Sequence, residues 1–419
     1  MQSTRLIWDK ETRTDLTLKS VLFVINPFLG LIYSLYRLNT RSSYVIFFLF
    51  FITVGITMVP PNINNPSLNL DVYYYHALFE DLSKSSYSDL KLAISKYLEG
   101  DGTHDIVMYI LYFIMSRFTN NYHILFGAIA GIMGYFCCKS MRYITSDKNF
   151  GFSLSSLCII LMLNAVMIDK VCVFRFYIAY WISIYSFFKI FIDNNKKYWL
   201  LLASTPLFHG SFFVVFFVIA LYYLVNYFRK YLVFFVIVSF ALGFIVTNLI
   251  QYFLQFLPMG VASHYDAYID EEYVKRVTTG TGLFWIRRLA EIMISTLPTL
   301  VLLVMNNHYS QYINNKEQNN MFCLLAAFVI FVNITISVPS LGSRFLMFIY
   351  PLFAYCFISP FHHQRYRNWI YLVALGILVC FIAPNQVYQM ANFRIWTELW
   401  TSELFTLSPV YLWAKYILF

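Results

Sequence analysis

Apolar runs long enough to cross a bilayer recur from one end of this chain to the other, and they leave few folds open. A helix needs about 20 apolar residues to cross a hydrocarbon core of about 30 Å. Ser43–Val59, Ile124–Met141, Phe150–Ile168, Val171–Ile192, Ser211–Phe228, Tyr231–Leu257, Leu283–Met305 and Met321–Val338 meet or approach that length. Phe345–Ser359 and Trp369–Ala383 are shorter. Asp105–Phe118 and Tyr198–Phe208 are shorter still, and Val21–Tyr36 is broken by Asn26-Pro27. A segment of that kind reads as re-entrant or interfacial. Charged residues make up 12% of the 419 positions, where a soluble domain carries about 25%. That supply cannot cover a water-facing surface, so a soluble enzyme is excluded. The expected fold is an all-α polytopic integral membrane protein with roughly 10–13 transmembrane helices and short helices at its outer face. Residues 1–419 form one integral domain, with no internal repeat and no low-complexity linker.

Short loops orient the chain. Lys139, Arg142 and Lys148 cluster, as do Lys196-Lys197, Arg229-Lys230 and Arg365 with Arg367. Placed inside by the positive-inside bias, these loops give an alternating topology from residue 139 onward. Asp169, His209, Ala262–Thr281 and Pro339–Arg344 then face outside. Residues 1–42 form a cytoplasmic or interfacial segment, with Val21–Tyr36 not crossing. Residues 60–104 and 258–282 are outer loops, and 385–419 form an outer or interfacial tail. The alternative makes Val21–Tyr36 a true span, at the cost of placing Arg37 and Arg41 outside.

The net charge of +9 lies mostly in these loops, so nucleic acid is not an expected partner. The seven cysteines sit in apolar stretches without a C-x-x-C pair and read as core residues. There is no P-loop, no G-x-G-x-x-G, no H-E-x-x-H and no paired D-x-D, so neither a cofactor nor a metal is expected.

The few ionisable residues at membrane depth carry the functional signal, because a charge there costs several kcal/mol. They are Arg175, His209, Arg287, Arg288, Glu291 and Arg344, each near the outer end of its span. Asp71, Glu99, Asp101, Asp105, Asp266, Asp270, Glu271 and Glu272 lie in the outer segments. Each has a plainer reading. Arg287, Arg288 and Arg344 can snorkel at helix ends, Asp71 can cap a helix, Arg175 can pair with Asp169, and His209 can close a turn. Their convergence on one side of the membrane outweighs the single readings. Arginine offers fixed, bidentate, permanently charged donors to phosphate oxygens, so Arg175, Arg287, Arg288 and Arg344 are the candidate diphosphate ligands. Tyr74, Tyr265, Tyr268 and Trp396, beside carboxylates and amides, are candidate faces for sugar rings, or else part of an interfacial belt.

An ordered set of these features resembles the bacterial polysaccharide polymerases of the Wzy type, in the EpsG-like branch. It comprises Leu70-Asp71-Val72-Tyr73-Tyr74-Tyr75, then Asp105 through Phe118-Thr119-Asn120-Asn121, then Arg175-Phe176-Tyr177-Ile178-Ala179, His209-Gly210-Ser211 and Ser343-Arg344-Phe345. The chain departs from that pattern at Phe176, where the family often has Gln, at Asn69-Leu70, where a Gly is common, and at Asp105, often Glu-Pro. The resemblance implies a fold similar to C-type glycosyltransferases and O-antigen ligases, in the bacterial inner membrane, with the site facing the periplasm. It implies undecaprenyl-diphosphate-linked glycans as substrates, and a flippase and a chain-length regulator as partners. The reaction would transfer the growing chain onto a new repeat unit without nucleotide sugar or ATP.

In that reading Arg175, Arg288 and Arg344 hold the leaving diphosphate, His209 or Asp71 is the base, and Asp105 orients the acceptor. Two other classes fit the membrane setting: a flippase or exporter of the lipid-linked unit, and a membrane acyltransferase using His209. The topology is directly testable. On a cysteine-free background, Lys197→Cys should resist a membrane-impermeant maleimide added outside, and Asp266→Cys should react; the reverse pattern would invert the orientation.

Overall fold

The computed structural model of the chain describes residues 8–36, 38–60, 71–100, 105–145, 168–243, 296–306, 316–338, 341–358 and 400–418, with isolated positions at 245–252 and 368–376. Among the described residues the regular structure is entirely helical. Four helices are long and apolar enough to cross a bilayer: Tyr122–Thr145, Val171–Phe191, Gly210–Tyr227 and Lys316–Thr335. Shorter apolar helices are Arg41–Ile56, Ile106–Ser116, Tyr198–Phe208, Thr296–Asn306 and Gly342–Phe357. Nearly all of the expected span Phe150–Ile168, nearly all of Trp369–Ala383, the whole of 258–282 and residues 385–399 lie outside the described residues.

The chain begins as a helical hairpin. α1 (Arg13–Ile25) and α2 (Pro27–Tyr36) meet at Asn26, which leaves the helical region at φ −155°. Pro27 suits the first helical position, because the N–H it lacks would be unpaired there. The Asn26 side chain accepts from Phe28 N–H at 2.9 Å and donates to Phe405 O at 2.8 Å. A helix of 13 residues reaches only about 20 Å, so α1 cannot cross alone. The hairpin takes in Val21–Tyr36, and α1 starts earlier than that segment, at Arg13.

α3 (Arg41–Ile56) packs along α7 (Tyr122–Thr145), with the two running in opposite directions. Gly127, Gly131 and Gly134 form a stripe on α7 that lets the backbones approach. A Cβ at Gly134 would lie 2.7 Å from Phe51 Cβ, and one at Gly55 would strike the Phe126 carbonyl oxygen. α8 (Phe174–Phe191), entered through a 3-10 turn at Ile168–Val173, is buried along nearly its whole length and forms the centre of the bundle. A helix apolar on all sides belongs in such an interior.

On the other side of α8, α9 (Tyr198–Ala203), α10 (Thr205–Phe208) and a 3-10 turn at Gly210–Phe213 lead into α11 (Val214–Tyr227) and α12 (Leu232–Leu242). Phe216, Phe217, Tyr223, Tyr227, Val233, Phe234 and Ile237 stand exposed on these two helices. That surface is stable against lipid tails and would be a liability in water. After α13 (Thr296–Asn306), the buried α14 (Lys316–Thr335) packs against α11 and α12 and leads through a tight turn to α15 (Gly342–Leu346).

The segment between α3 and α6 is helical and polar. It forms α4 (Asp71–Lys84) and α5 (Tyr87–Leu98), and α5 buries no residue. A reciprocal cap of Ser86 with Asp89 starts α5. α6 (Ile106–Ser116) is the short apolar helix beneath α4, and Arg117 closes α4 by donating to Leu82 O and to Ser85 O at 3.0 Å. At the C-terminal end, Trp400 Nε1 donates to Val54 O at 3.1 Å and Trp413 Nε1 to Thr53 Oγ1 at 3.0 Å, tying the tail to α3.

The α3–α7 contact yields a packing prediction. Gly134→Ala places a methyl group where Phe51 already sits and should destabilise the protein by about 1–3 kcal/mol. Thermal unfolding in detergent checks this, and an unchanged midpoint would contradict the close contact.

Candidate functional site

Asp105 occupies a conformation that few residues tolerate. Its φ and ψ are 67° and 47°, the left-handed region, where Asp and Asn are among the side chains that fit with least strain. It stands at the N-cap position of α6 but makes no side-chain cap bond. The turn sends its carboxylate away from its own helix. Oδ2 accepts from Arg175 Nη1 at 2.7 Å, and Oδ1 accepts from the Gly210 backbone N–H at 2.9 Å. One buried carboxylate thus joins the start of α6, the first turn of α8 and the turn before α11. Arg175 pairs with Asp105, 70 positions away. Both carboxylate oxygens of Asp105 accept from the protein, so it holds Arg175 and the Gly210 turn in place.

The chain of contacts continues to α4. Arg175 Nε donates to Tyr75 Oη at 3.2 Å, and Tyr75 Oη donates to Asp71 Oδ2 at 3.2 Å. The guanidinium also lies 5.2 Å from the Tyr75 ring centroid. Asp71 is the first residue of α4, so Tyr75 shares its face one turn on. Burial pushes the Tyr75 phenol well above its ordinary range; Arg175 opposes this and Asp71 reinforces it. The phenol therefore stays neutral and keeps its proton on the Asp71 side. Asp71 is half-buried at the start of α4.

Arg175 has more donors than its two hydrogen bonds to Asp105 and Tyr75 use. A guanidinium has five N–H donors, of which Asp105 and Tyr75 take two. Its side chain is 34% exposed, against 3% for the Asp105 carboxylate. The N-terminal ends of α4, α6 and α8 gather here, and their backbone dipoles add positive potential.

His209 and Arg344 join through Phe176. The His209 ring stands edge-on to Phe176 at 5.5 Å, and the Arg344 guanidinium lies 5.9 Å from the same ring centroid. Phe176 thus offers its ring to both His209 and Arg344. Ser211 N–H donates to His209 Nδ1 at 3.3 Å, and Ser211 Oγ lies 2.8 Å from the same nitrogen. A backbone N–H only donates, so Nδ1 is unprotonated and the neutral ring carries its proton on Nε2. His209 therefore presents a donor, and Asp71 remains the residue suited to accept a proton.

Asp71, Asp105, Arg175, His209 and Arg344, selected one by one from the sequence, thus fall into one linked neighbourhood. Tyr74 stands on the outer surface of α4, 56% exposed and edge-on to Tyr73 at 5.5 Å. Arg287, Arg288, Tyr265, Tyr268 and Trp396 lie outside the described residues. Tyr75, Phe176 and the Gly210 N–H were not anticipated. The spacing of four from Asp71 marks Tyr75 once the start of α4 is known; no sequence signal marks the Gly210 amide.

The model of the EpsG family matches residues 45–397. The match covers most of the chain and every residue of this site, and the chain belongs to the EpsG family. No match was found among curated proteins or solved structures.

Two replacements separate the charge of Asp105 from its backbone role. Asp105→Asn retains a residue suited to positive φ and an acceptor for Gly210, and loses the charge together with the acceptor that faces Arg175. Asp105→Ala loses all of these. Breaking a buried pair costs about 3–5 kcal/mol, which partial exposure of Arg175 lowers to about 2–3 kcal/mol for the alanine variant. The asparagine variant should lose about half as much. Unfolding midpoints indistinguishable from wild type for both would remove Asp105 from the scaffold.

Proposed function

We propose, from membership of the EpsG family and from the linked Asp71–Tyr75–Arg175 chain, that this protein is a polysaccharide polymerase working at the outer face of the bacterial inner membrane. Its substrates are oligosaccharide repeat units carried on a polyprenyl diphosphate, undecaprenyl diphosphate in the reading that the family resemblance favours. The observation that carries the proposal is the Tyr75 phenol, which receives from Arg175 and donates to Asp71. It connects a proton acceptor to a cation that retains donors for phosphate oxygens.

The reaction is a displacement at the anomeric carbon of the donor chain. Asp71 takes the proton of the acceptor hydroxyl on the new repeat unit. That oxygen bonds to the anomeric carbon as the bond from this carbon to the diphosphate oxygen breaks. The electron pair leaves with the diphosphate, whose growing negative charge faces Arg175 and Arg344. His209 supplies an Nε2–H donor to the same group or to the acceptor sugar. Inversion at the anomeric carbon follows from the single displacement. Preplaced donors are effective here because a dehydrated site has little water to solvate the leaving group. Tyr74 and Tyr73 offer aromatic faces to sugar rings outside the cleft.

Purified protein in lipid vesicles, given a polyprenyl-diphosphate-linked repeat unit, should build a ladder of products on a gel. Asp71→Asn removes the base and should slow polymerisation by about 10²–10⁴-fold. Arg175→Lys keeps the charge but loses the planar fork, and should slow it by on the order of 10²-fold. Full-length ladders from both variants would sink the assignment. Cells lacking the protein should display single repeat units on the outer face. Units trapped on the inner face would indicate a flippase, and polymer of normal length lacking acyl groups would indicate an acyltransferase.

A further inference from the structure

Pro351 stands inside a helix. Gly342–Phe357 forms one apolar helix, made of α15, α16 (Ile349–Phe353) and a π-helical turn at Ala354–Ile358. A proline in a helix interior has no N–H for the carbonyl four residues before it, here that of Met347. A membrane interior has no water to make good the loss, so the protein itself must supply a donor. Tyr350 N–H reaches Met347 O at 3.3 Å. From α8, the buried Tyr180 donates to the same oxygen at 3.0 Å through its Oη. The π-helical turn that follows is an irregularity of the kind found at kinks and functional sites.

This bond lies in register with ring contacts along both helices. Phe176 meets Phe345 at 6.0 Å between centroids, and Tyr180 meets Phe348 at 4.7 Å. A step of about one turn on each helix separates the two contacts, so α8 and α15–α16 run side by side in the same direction. Phe348 also stacks on Phe345 at 5.7 Å and on Phe328 at 4.6 Å. Ring pairs tolerate centroid separations of about 4.5–7 Å and a range of offsets. A hydrogen bond weakens steeply outside a narrow range of distance and angle. The Tyr180–Met347 bond therefore fixes the helices more closely than the rings do.

Both arginines of the outer site lie about one turn beyond it. Arg175 precedes Tyr180 by five residues, about 7.5 Å along α8, and Arg344 precedes Met347 by three, about 4.5 Å along α15. We infer that Tyr180 is a positioning residue for the transfer reaction: it bonds the carbonyl that Pro351 cannot, and so sets the helix of Arg344 against the helix of Arg175 at a separation that lets both cations meet one lipid diphosphate. This role rests on the polymerase reading, in which both arginines face the leaving diphosphate. A lipid monophosphate can be held by Arg175 alone, so the spacing selects for the diphosphate.

Binding of undecaprenyl diphosphate and undecaprenyl monophosphate to the purified full chain, with polymerisation in vesicles alongside, tests this role. Tyr180→Phe removes one oxygen and keeps the ring. It should weaken diphosphate binding and slow polymerisation about tenfold each, and leave monophosphate binding within about twofold of wild type, which also shows the variant to be folded. In an Arg344→Gln background the same substitution should add less than about twofold, because the group it places is gone. Pro351→Ala restores the N–H that Met347 O accepts in an ordinary helix, and there too Tyr180→Phe should add less than about twofold. Ser183→Ala removes another buried hydroxyl of α8, one bonded within the helix to Ala179 O at 2.8 Å, and should bind both lipids normally. Equal losses for the two lipids, or a tenfold loss from Tyr180→Phe that persists in the Arg344→Gln or Pro351→Ala background, would overturn the role of Tyr180 and leave the polymerase reading standing. Arg344→Gln that binds diphosphate and polymerises like wild type would instead remove Arg344 from the site, and the role of Tyr180 with it.

Discussion

The ion pair between Asp105 and Arg175 is the interaction around which the outer half of the molecule is arranged. A guanidinium at the end of a buried helix is costly without a counter-ion. Asp105 supplies one, and its left-handed backbone lets it do so from the start of a different helix. The second carboxylate oxygen holds the Gly210 amide, which fixes the turn carrying His209 and Ser211. Tyr75 meets the same guanidinium from α4 and passes the contact to Asp71. Segments far apart in sequence are thereby held around one cation.

The pair also divides the work of Arg175. Two donors hold it in place, and the remaining ones sit on a partly exposed side chain. A cation used only to tie helices together would gain from complete burial with every donor satisfied. Arg344 belongs to the same neighbourhood through Phe176, which serves as a rigid aromatic partner to both His209 and Arg344.

Much of this was legible in the amino-acid order. Apolar run length announced a helical membrane protein, and scarce charges at membrane depth picked out Arg175, His209 and Arg344. The short run after Asp105 and the break at Asn26-Pro27 were visible as segments unfit to cross. What stayed hidden depends on pairing in space. Nothing in the order of residues joins Asp105 to Arg175 rather than Asp169 to Arg175. The row Tyr73-Tyr74-Tyr75 offers no choice among its members until the first turn of α4 sets the face shared with Asp71. The backbone amide of Ser211, which sets the hydrogen bonding of the His209 ring, carries no sequence signature. Arg287, Arg288, Tyr265, Tyr268 and Trp396 fall outside the described residues.

The central claim is that Arg175 and Arg344 receive a lipid diphosphate while Asp71 faces the acceptor. A cryo-electron microscopy structure with a non-transferable polyprenyl diphosphate analogue tests it most directly. The account predicts phosphate oxygens at about 2.7–3.2 Å from the Arg175 guanidinium, with Arg344 on the same diphosphate and the Asp105 pair intact. A diphosphate bound elsewhere, with Arg175 enclosed by protein alone, would contradict it.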